Sequence, residues 1–330
     1  PEERNRMYDS LLMVPEHTWG LDEKKHLHEN RNYRRDLFDR ARNNFNYKKM
    51  ELSWAEQRRY VQQGADALSE PYRSSAAAAM QEFAAERPAL DPAARTAART
   101  FVRAGWRFTI GADGAICALD KDGKVYADDG HPLAAFSYDA YSGDEVWAFE
   151  QAYLKPSFIR DRLETGRPNW GTDDFGKENL GDEIAVHTAW APMCADVYEF
   201  EREIVVGMRP PVALVQQHGV PAQLILRIYP SESEFCLDFQ WFDKPANRAP
   251  EALWLRFACT TPLQSISKLG LPIDPRTVQP GGNRGMHGTD GVLMFGNCTI
   301  QTLDAPLVSV NGKHIYDFVR DLPDCRDVYF

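Results

Sequence analysis

The spacing of apolar residues changes near residue 100, and this change constrains the fold more than any other feature of the sequence. Before it, apolar side chains recur every three or four residues, as on one face of a helix. After it, apolar and polar residues alternate in short runs separated by Asp-Gly pairs, as in antiparallel hairpins. The pattern predicts an α+β, mainly β chain, with a helix bundle over residues 1–95 and a large antiparallel β-sandwich over residues 96–330.

Three helices are predicted in the first part. The first carries an apolar stripe formed by Tyr33, Leu37, Ala41 and Phe45. Ser53 opens a capping-box pattern that predicts the start of the second helix, and Ser75 caps a third, alanine-rich helix that ends before Pro88. Because the joints between them are short, we expect the three helices to form a small bundle.

Short strands are predicted throughout the second part. Asp113-Gly114 and Asp122-Gly123 separate the first three, which cover residues 106–110, 116–119 and 124–126. Further strands are predicted over residues 197–206, 222–229, 235–242, 253–259 and 292–295. No helical period of useful length separates them, and the polar, glycine-rich residues 155–182 predict a long loop.

Composition narrows the range of partners. The 330 residues carry a net charge of −10 and no basic patch, which argues against binding to nucleic acid or to anionic membranes. No apolar run approaches the roughly 20 residues that span a bilayer. The six cysteines form no CxxC motif, and Asn297-Cys298-Thr299 is an N-glycosylation sequon. A secreted and a cytoplasmic location both stay open, and the missing initial Met suggests a longer natural protein.

A polar loop that follows an apolar run is the first candidate site. The run ends at Pro15, and the loop then supplies the side chains of Glu16, His17, Trp19 and Asp22. Histidine and carboxylate are common protein ligands for zinc, and a proline and a glycine shape the backbone on either side. The alternative is a structural corner with a hydrogen-bonded His17 and a packed Trp19.

The same loop carries a resemblance to known proteins, together with three later segments. These segments are Val14 to Asp22, Lys244-Pro245 with Pro250-Glu251-Ala252, Gly282 to His287, and Asp304-Ala305-Pro306-Leu307. They are similar to an uncharacterised family of domains of unknown function related to glycoside hydrolase family 38. The order of helices and strands also resembles the C-terminal half of family 38 α-mannosidases, in which an N-terminal α/β barrel precedes a three-helix bundle and a β-supersandwich. The resemblance implies that the barrel lies outside this chain.

The resemblance also implies a zinc ion. Family 38 enzymes hold it with a His and two Asp from the barrel and with a His from a His-His-Asp loop at the start of the bundle. His17 matches that last ligand, so it is the predicted metal ligand here, and the remaining ligands are expected outside the chain. Thr18 stands where the family has an Asp that contacts sugar hydroxyls. Asp22 or Glu16 could take its place, and the sequence does not decide between them.

A glycine-rich loop at residues 281–288 is the second candidate site. Arg284 offers a fork of donors to sugar hydroxyls or to a carboxylate, and His287 follows it closely. We expect both to lie on the same side of the molecule as His17. The alternative is a β-bulge with a structural Arg284. The predicted substrate-binding residues are therefore Glu16, Trp19, Asp22, Arg284 and His287.

The resemblance implies the C-terminal portion of a zinc-dependent retaining glycoside hydrolase of the α-mannosidase type. Its partners would be a carbohydrate substrate and the N-terminal barrel of the same protein. The catalytic carboxylates stay unassigned, because the family carries them in the barrel, and the chain alone is expected to be inactive. The alternative function is a non-catalytic carbohydrate-binding or structural β-sandwich module.

Overall fold

The computed structural model describes residues 2–15, 19–27, 29–82, 84, 86–167, 169, 171–172, 176–277, 284–317, 319–323 and 325–330. The chain divides into two compact units, Pro1–Pro88 and Ala89–Phe330. The first unit is helical, and the second combines several antiparallel sheets with short helices. The predicted α+β, mainly β class is confirmed. Among the described residues, no helix has both the length and the apolar character needed to cross a bilayer.

The described part of the first unit holds five helices, so the predicted three-helix bundle is not confirmed. They are α1 (Glu2–Leu12), α2 (Glu23–His26), α3 (Arg35–Ala41), α4 (Phe45–Asp66) and α5 (Tyr72–Glu82). Helix α4 is the central element, because α1, α2 and α5 all pack against it. A small apolar core is formed by Leu27, Phe38, Ala41, Tyr47 and Met50. Phe45, placed by the sequence on the apolar stripe, is instead exposed.

Ser53 shows why the helix boundaries differ from the prediction. It lies inside α4, where its Oγ donates to the carbonyl of Met50 at 2.7 Å and accepts from the backbone N of Leu21 at 3.1 Å. A serine that bonds back to the preceding turn does not cap a helix. Helix α4 therefore runs through the predicted start, and α5 likewise begins before Ser75.

The second unit contains nineteen named strands, four named α-helices and two short 3₁₀ helices, Pro92–Ala94 and Pro275–Thr277, within its described residues. The strands are β1 (Arg95–Thr96), β2 (Thr100–Arg103), β3 (Trp106–Ile110), β4 (Ile116–Lys121), β5 (Lys124–Ala127), β6 (Ala135–Ala140), β7 (Thr188–Trp190), β8 (Ala195–Glu199), β9 (Ile204–Met208), β10 (Gln223–Pro230), β11 (Phe235–Phe242), β12 (Glu251–Ala258), β13 (Leu263–Lys268), β14 (Leu271–Ile273), β15 (Met286–Gly288), β16 (Val292–Phe295), β17 (Thr299–Gln301), β18 (Leu307–Val310) and β19 (Asp327–Tyr329). The helices are α6 (Gly143–Tyr153), α7 (Pro156–Thr165), α8 (Leu180–Glu183) and α9 (Val212–His218). Helix α7 and the start of α8 lie where the sequence predicted a loop over residues 155–182, so that prediction is wrong at both ends of the segment.

The strands form four sheets, and every pairing among the described residues is antiparallel. One sheet has the order β1-β8-β9-β10-β11, and a six-stranded sheet has the order β15-β18-β19-β12-β6-β7. Two four-stranded sheets have the orders β14-β13-β16-β17 and β2-β3-β4-β5. Buried residues from all four sheets share one continuous apolar core.

The predicted hairpins are confirmed at β3, β4 and β5. Asp122 and Gly123, between β4 and β5, both have positive φ, at 51° and 77°. Two successive left-handed residues form the tight turn whose twist suits two antiparallel strands. The strong local signal of an Asp-Gly pair therefore predicted the position of the turn correctly.

Candidate functional site

The outer face of the six-stranded sheet carries a cluster of charged side chains, built around Asp139. Phe136, Tyr138 and Ala140 of β6 point into the core. Because side chains alternate along a strand, Asp139 points the other way. It is nevertheless only 3% exposed, since later parts of the chain cover it. A buried carboxylate at this position requires compensating partners.

Each carboxylate oxygen of Asp139 contacts one basic side chain. Lys313 Nζ donates to Asp139 Oδ2 at 2.7 Å, and His187 Nε2 lies 3.1 Å from Asp139 Oδ1. The other ring nitrogen of His187 lies 3.0 Å from Glu145 Oε1. We refer to these four residues as the Asp139 cluster.

Helix α6 positions Glu145 over the strand. Ser142 precedes the helix, its Oγ accepts from the backbone N of Glu145, and Glu145 Oε2 accepts from the backbone N of Ser142 at 2.8 Å. This reciprocal capping box fixes the first turn of the helix. Glu145 Oε2 therefore serves the cap, and both carboxylate oxygens lie within 3.1 Å of His187 Nδ1.

His187 bridges two carboxylates. It precedes β7, which pairs with β6 so that Ala189 lies opposite Asp139. A neutral imidazole can donate a hydrogen bond from one nitrogen alone. Each ring nitrogen of His187 faces a carboxylate oxygen, and the donor at each contact therefore depends on the tautomer.

A tight turn after β18 brings Lys313 to the cluster. Ser309 Oγ donates to the carbonyl of Gly312 at 2.7 Å and accepts from the backbone N of His314 at 2.9 Å. Gly285 packs against this turn, since a Cβ built on it would lie 2.7 Å from the His314 ring. The backbone N of Val310 also donates to the carbonyl of Gly285 at 2.7 Å. The described end of the glycine-rich loop thus supports the turn that carries Lys313.

Aromatic rings flank the Asp139 cluster. The Tyr141 ring meets the rings of His187 and Tyr316 edge to face, with centroids 5.4 Å and 4.9 Å apart. The Tyr141 hydroxyl and the Trp254 Nε1 are buried, and neither makes a well-formed hydrogen bond within the described part of the chain. Burial raises the pKa of Tyr141 above its usual value, and the neighbouring indole N–H of Trp254 offsets this effect only in part. Both polar atoms can still bind a water or a ligand group.

Of the predicted site loop, Glu16 and His17 lie outside the described residues, so their roles stay predictions. Trp19 is described and is 41% exposed. Asp22 is the N-cap of α2, and its Oδ1 accepts from the backbone N of Lys24 at 2.9 Å. This capping contact occupies one oxygen of the carboxylate predicted to reach the sugar.

The two predicted residues of the glycine-rich loop have different surroundings. Arg284 faces Asp321, with the nearest charged atoms 3.9 Å apart. His287 points to the core side and is 2% exposed, and its Nε2 donates to the carbonyl of Arg284 at 2.7 Å. Burial lowers the pKa of His287, which keeps the imidazole neutral. The prediction that both residues face His17 involves a residue outside the described ranges.

A zinc ion would have to find most of its ligands elsewhere. Among the described residues, no group of three or more His, Cys, Asp or Glu side chains is placed to hold a metal ion. The ring nitrogens of His187 both face carboxylates, which leaves neither available as a ligand. His17 therefore stays the predicted contribution of this chain to a zinc site.

The Asp139 cluster was not predicted from the sequence, and none of its four residues was a candidate there. A local signal was present, because Asp139 interrupts an apolar strand that leads directly into the capping box at Ser142. Lys313 had no such signal. Only the pairing of β18 and β19 within the sheet brings its turn close to β6.

Comparison with known proteins adds one match. The family described as "Domain of unknown function (DUF5054)" matches residues 2–236. The match covers the whole helical unit and the second unit as far as the start of β11. No curated protein sequence matches the chain.

Proposed function

We propose that this chain, which belongs to the DUF5054 family of domains of unknown function, is the sugar-engaging C-terminal portion of a zinc-dependent retaining glycoside hydrolase of the α-mannosidase type. The order of a helical unit and a unit with several antiparallel sheets is compatible with that architecture. The motifs around His17 and Arg284 supply the link to family 38.

The Asp139 cluster carries the proposal. It places a carboxylate and an ammonium group beside aromatic rings on one sheet face, and the hydroxyl of Tyr141 and the indole N–H of Trp254 add polar atoms there. Charged groups can exchange hydrogen bonds with sugar hydroxyls, and aromatic rings pack against the apolar faces of sugar rings.

Zinc and hydrolysis rest on the resemblance. In the proposed enzyme, His17 supplies one ligand, and the barrel supplies the other ligands and the catalytic carboxylates. When bound, the metal would grip adjacent sugar hydroxyls. Retention of configuration would follow from a covalent glycosyl-enzyme intermediate on a barrel carboxylate.

The alternative is a non-catalytic carbohydrate-binding module with a helical adaptor. One observation favours it: all four residues of the Asp139 cluster belong to the second unit. A binding module needs no residue from a preceding barrel.

A binding experiment tests whether the chain binds carbohydrate, which both proposals require. Titration calorimetry of the chain with methyl α-mannoside and a panel of oligosaccharides should detect binding. Lys313→Met should weaken it at least tenfold. Asp196→Asn removes the exposed ion pair with Arg95 and serves as the control that leaves affinity unchanged. Equal affinity in the Lys313→Met variant would remove the Asp139 cluster from the proposal.

A second experiment separates enzyme from module. In the full-length protein, we expect His17→Ala to abolish both zinc content and the hydrolysis of an aryl α-mannoside. His26→Ala is the matched control, because His26 lies beside Lys49 in the same unit. Sugar binding without any zinc-dependent hydrolysis in the wild type would favour the module.

A further inference from the structure

Two short segments of the second unit run against each other at the junction of two sheets. One follows β12 of the six-stranded sheet, and the other is the turn between β16 and β17 of a four-stranded sheet. Gly296 packs against Thr261, since a Cβ built on it would lie 3.1 Å from the Thr261 Cβ. The two backbones therefore approach each other closely at this point.

The side chain of Asn297 joins the two segments by hydrogen bonds. Its Nδ2 donates to Thr260 Oγ1 at 3.0 Å and to the carbonyl of Val125 at 3.1 Å, and its Oδ1 accepts from Thr261 Oγ1 at 2.7 Å. Cys298 follows Asn297 in the turn, and Cys259 precedes Thr260 in the other segment. The two cysteines therefore lie opposite each other. The two thiols come close enough there for each to shift the pKa of the other. The contacts of Asn297 fix the two segments directly beside the thiols.

We propose that Cys259 and Cys298 are a redox-active pair that closes to a disulfide in the folded protein and thereby links the two sheets. The two cysteines differ in exposure and in thiol pKa, as thiol–disulfide exchange with one attacking and one resolving thiol requires. Cys259 is buried, whereas Cys298 is half-buried and lies at the edge of the core. The proximity of the two thiols lowers the pKa of Cys298, and it raises the pKa of Cys259 together with burial. Cys298 is therefore the attacking thiol and Cys259 the resolving one.

Oxidised glutathione serves as the oxidant in a balanced sequence. The Cys298 thiolate attacks one glutathione sulfur, a mixed disulfide forms, and one glutathione leaves as a thiolate. Cys259 loses its proton and attacks the Cys298 sulfur, which forms the protein disulfide and releases the second glutathione. Two protein thiols are oxidised, the glutathione disulfide is reduced to two thiols, and the two protons pass to the departing thiolates.

Peptide mapping of the native chain tests the pair. After incubation with oxidised glutathione, alkylation and non-reducing digestion, mass spectrometry should find a peptide linked through Cys259 and Cys298, and dithiothreitol should release it. The exposed Cys194 and Cys236 should carry glutathione and serve as internal controls. Modification of these two with both Cys259 and Cys298 still reduced would overturn the proposal.

Two variants assign the roles. Cys259→Ser should leave a stable glutathione adduct on Cys298, because the resolving thiol is gone. Cys298→Ser should leave Cys259 unmodified in the folded chain. Cys117→Ser, in a different sheet, should form the cross-link as the wild type does. If Cys298 of the wild type kept a stable glutathione adduct while Cys259 stayed reduced, the pair would not be a disulfide couple.

Discussion

Lys313 Nζ lies 2.7 Å from Asp139 Oδ2, although 174 residues separate them along the chain. The contact joins the turn after β18 to the outer face of β6 in the same sheet. Because Asp139 is buried, the ammonium group compensates a carboxylate that has lost most of its water. The geometry of the Asp139 cluster therefore depends on the turn that carries Lys313.

Removal of the Lys313 ammonium group should destabilise the second unit. We expect Lys313→Met to lower the free energy of unfolding by about 2 kcal/mol, because a buried carboxylate loses a charged partner while Lys313 itself is partly exposed. Urea unfolding measures the loss. In the Asp139→Asn background, the same substitution should cost much less, and an equal cost in both backgrounds would show that the ion pair does not contribute.

Gly285 should be needed for the position of the turn. A methyl group at this position would meet the His314 ring at 2.7 Å, so Gly285→Ala should push the turn and Lys313 away from Asp139. We expect weaker sugar binding together with a loss of about 1–3 kcal/mol of stability. Gly181→Ala is the control, since a Cβ there meets no atom within 4 Å. Unchanged binding in Gly285→Ala would separate the glycine-rich loop from the site.

Acid should destabilise the chain through His287. Its pKa in the folded state lies below the ordinary 6.5 because of burial, so the unfolded state binds the proton more readily. The free energy of unfolding should therefore be highest above pH 6.5 and should fall as the pH drops through 6.5 toward the lower folded pKa. His287→Gln keeps a donor for the carbonyl of Arg284 and should flatten this fall between pH 7.5 and 5.5. His218, whose pKa burial also lowers, should retain its own share of the slope.

The sequon at Asn297 should prove structural. The side-chain amide nitrogen donates to Val125 and Thr260, and the amide oxygen accepts from Thr261. A glycan therefore cannot be attached to the folded amide without breaking these contacts. We expect Asn297→Ala to cost about 2 kcal/mol in urea unfolding. Thr299→Ala also destroys the sequon but removes an exposed side chain, so it should cost about 0.5 kcal/mol. Similar losses in the two variants would indicate that the hydrogen bonds of Asn297 contribute little.

Turns and strands could be predicted from neighbouring residues in the sequence. Contacts between residues far apart in the chain could not. The Asp122-Gly123 turn and its strands follow from residues that are neighbours in the sequence. At Ser53, a capping pattern competed with a bond to the preceding turn, and sequence alone could not show which would prevail. Asp139, His187 and Lys313 meet only through the strand order of the six-stranded sheet, which no local periodicity encodes. The candidate site was missed for that reason.

The place of β19 in that strand order has a consequence for biosynthesis. β19 lies between β18 and β12, yet it follows both along the chain. During translation, β6 and β12 can pair as soon as they leave the ribosome, but one edge of β12 stays open until residue 329 has been made. Open strand edges invite pairing with other chains. A nascent chain would therefore carry a vulnerable edge for as long as the ribosome takes to add the residues between β12 and β19.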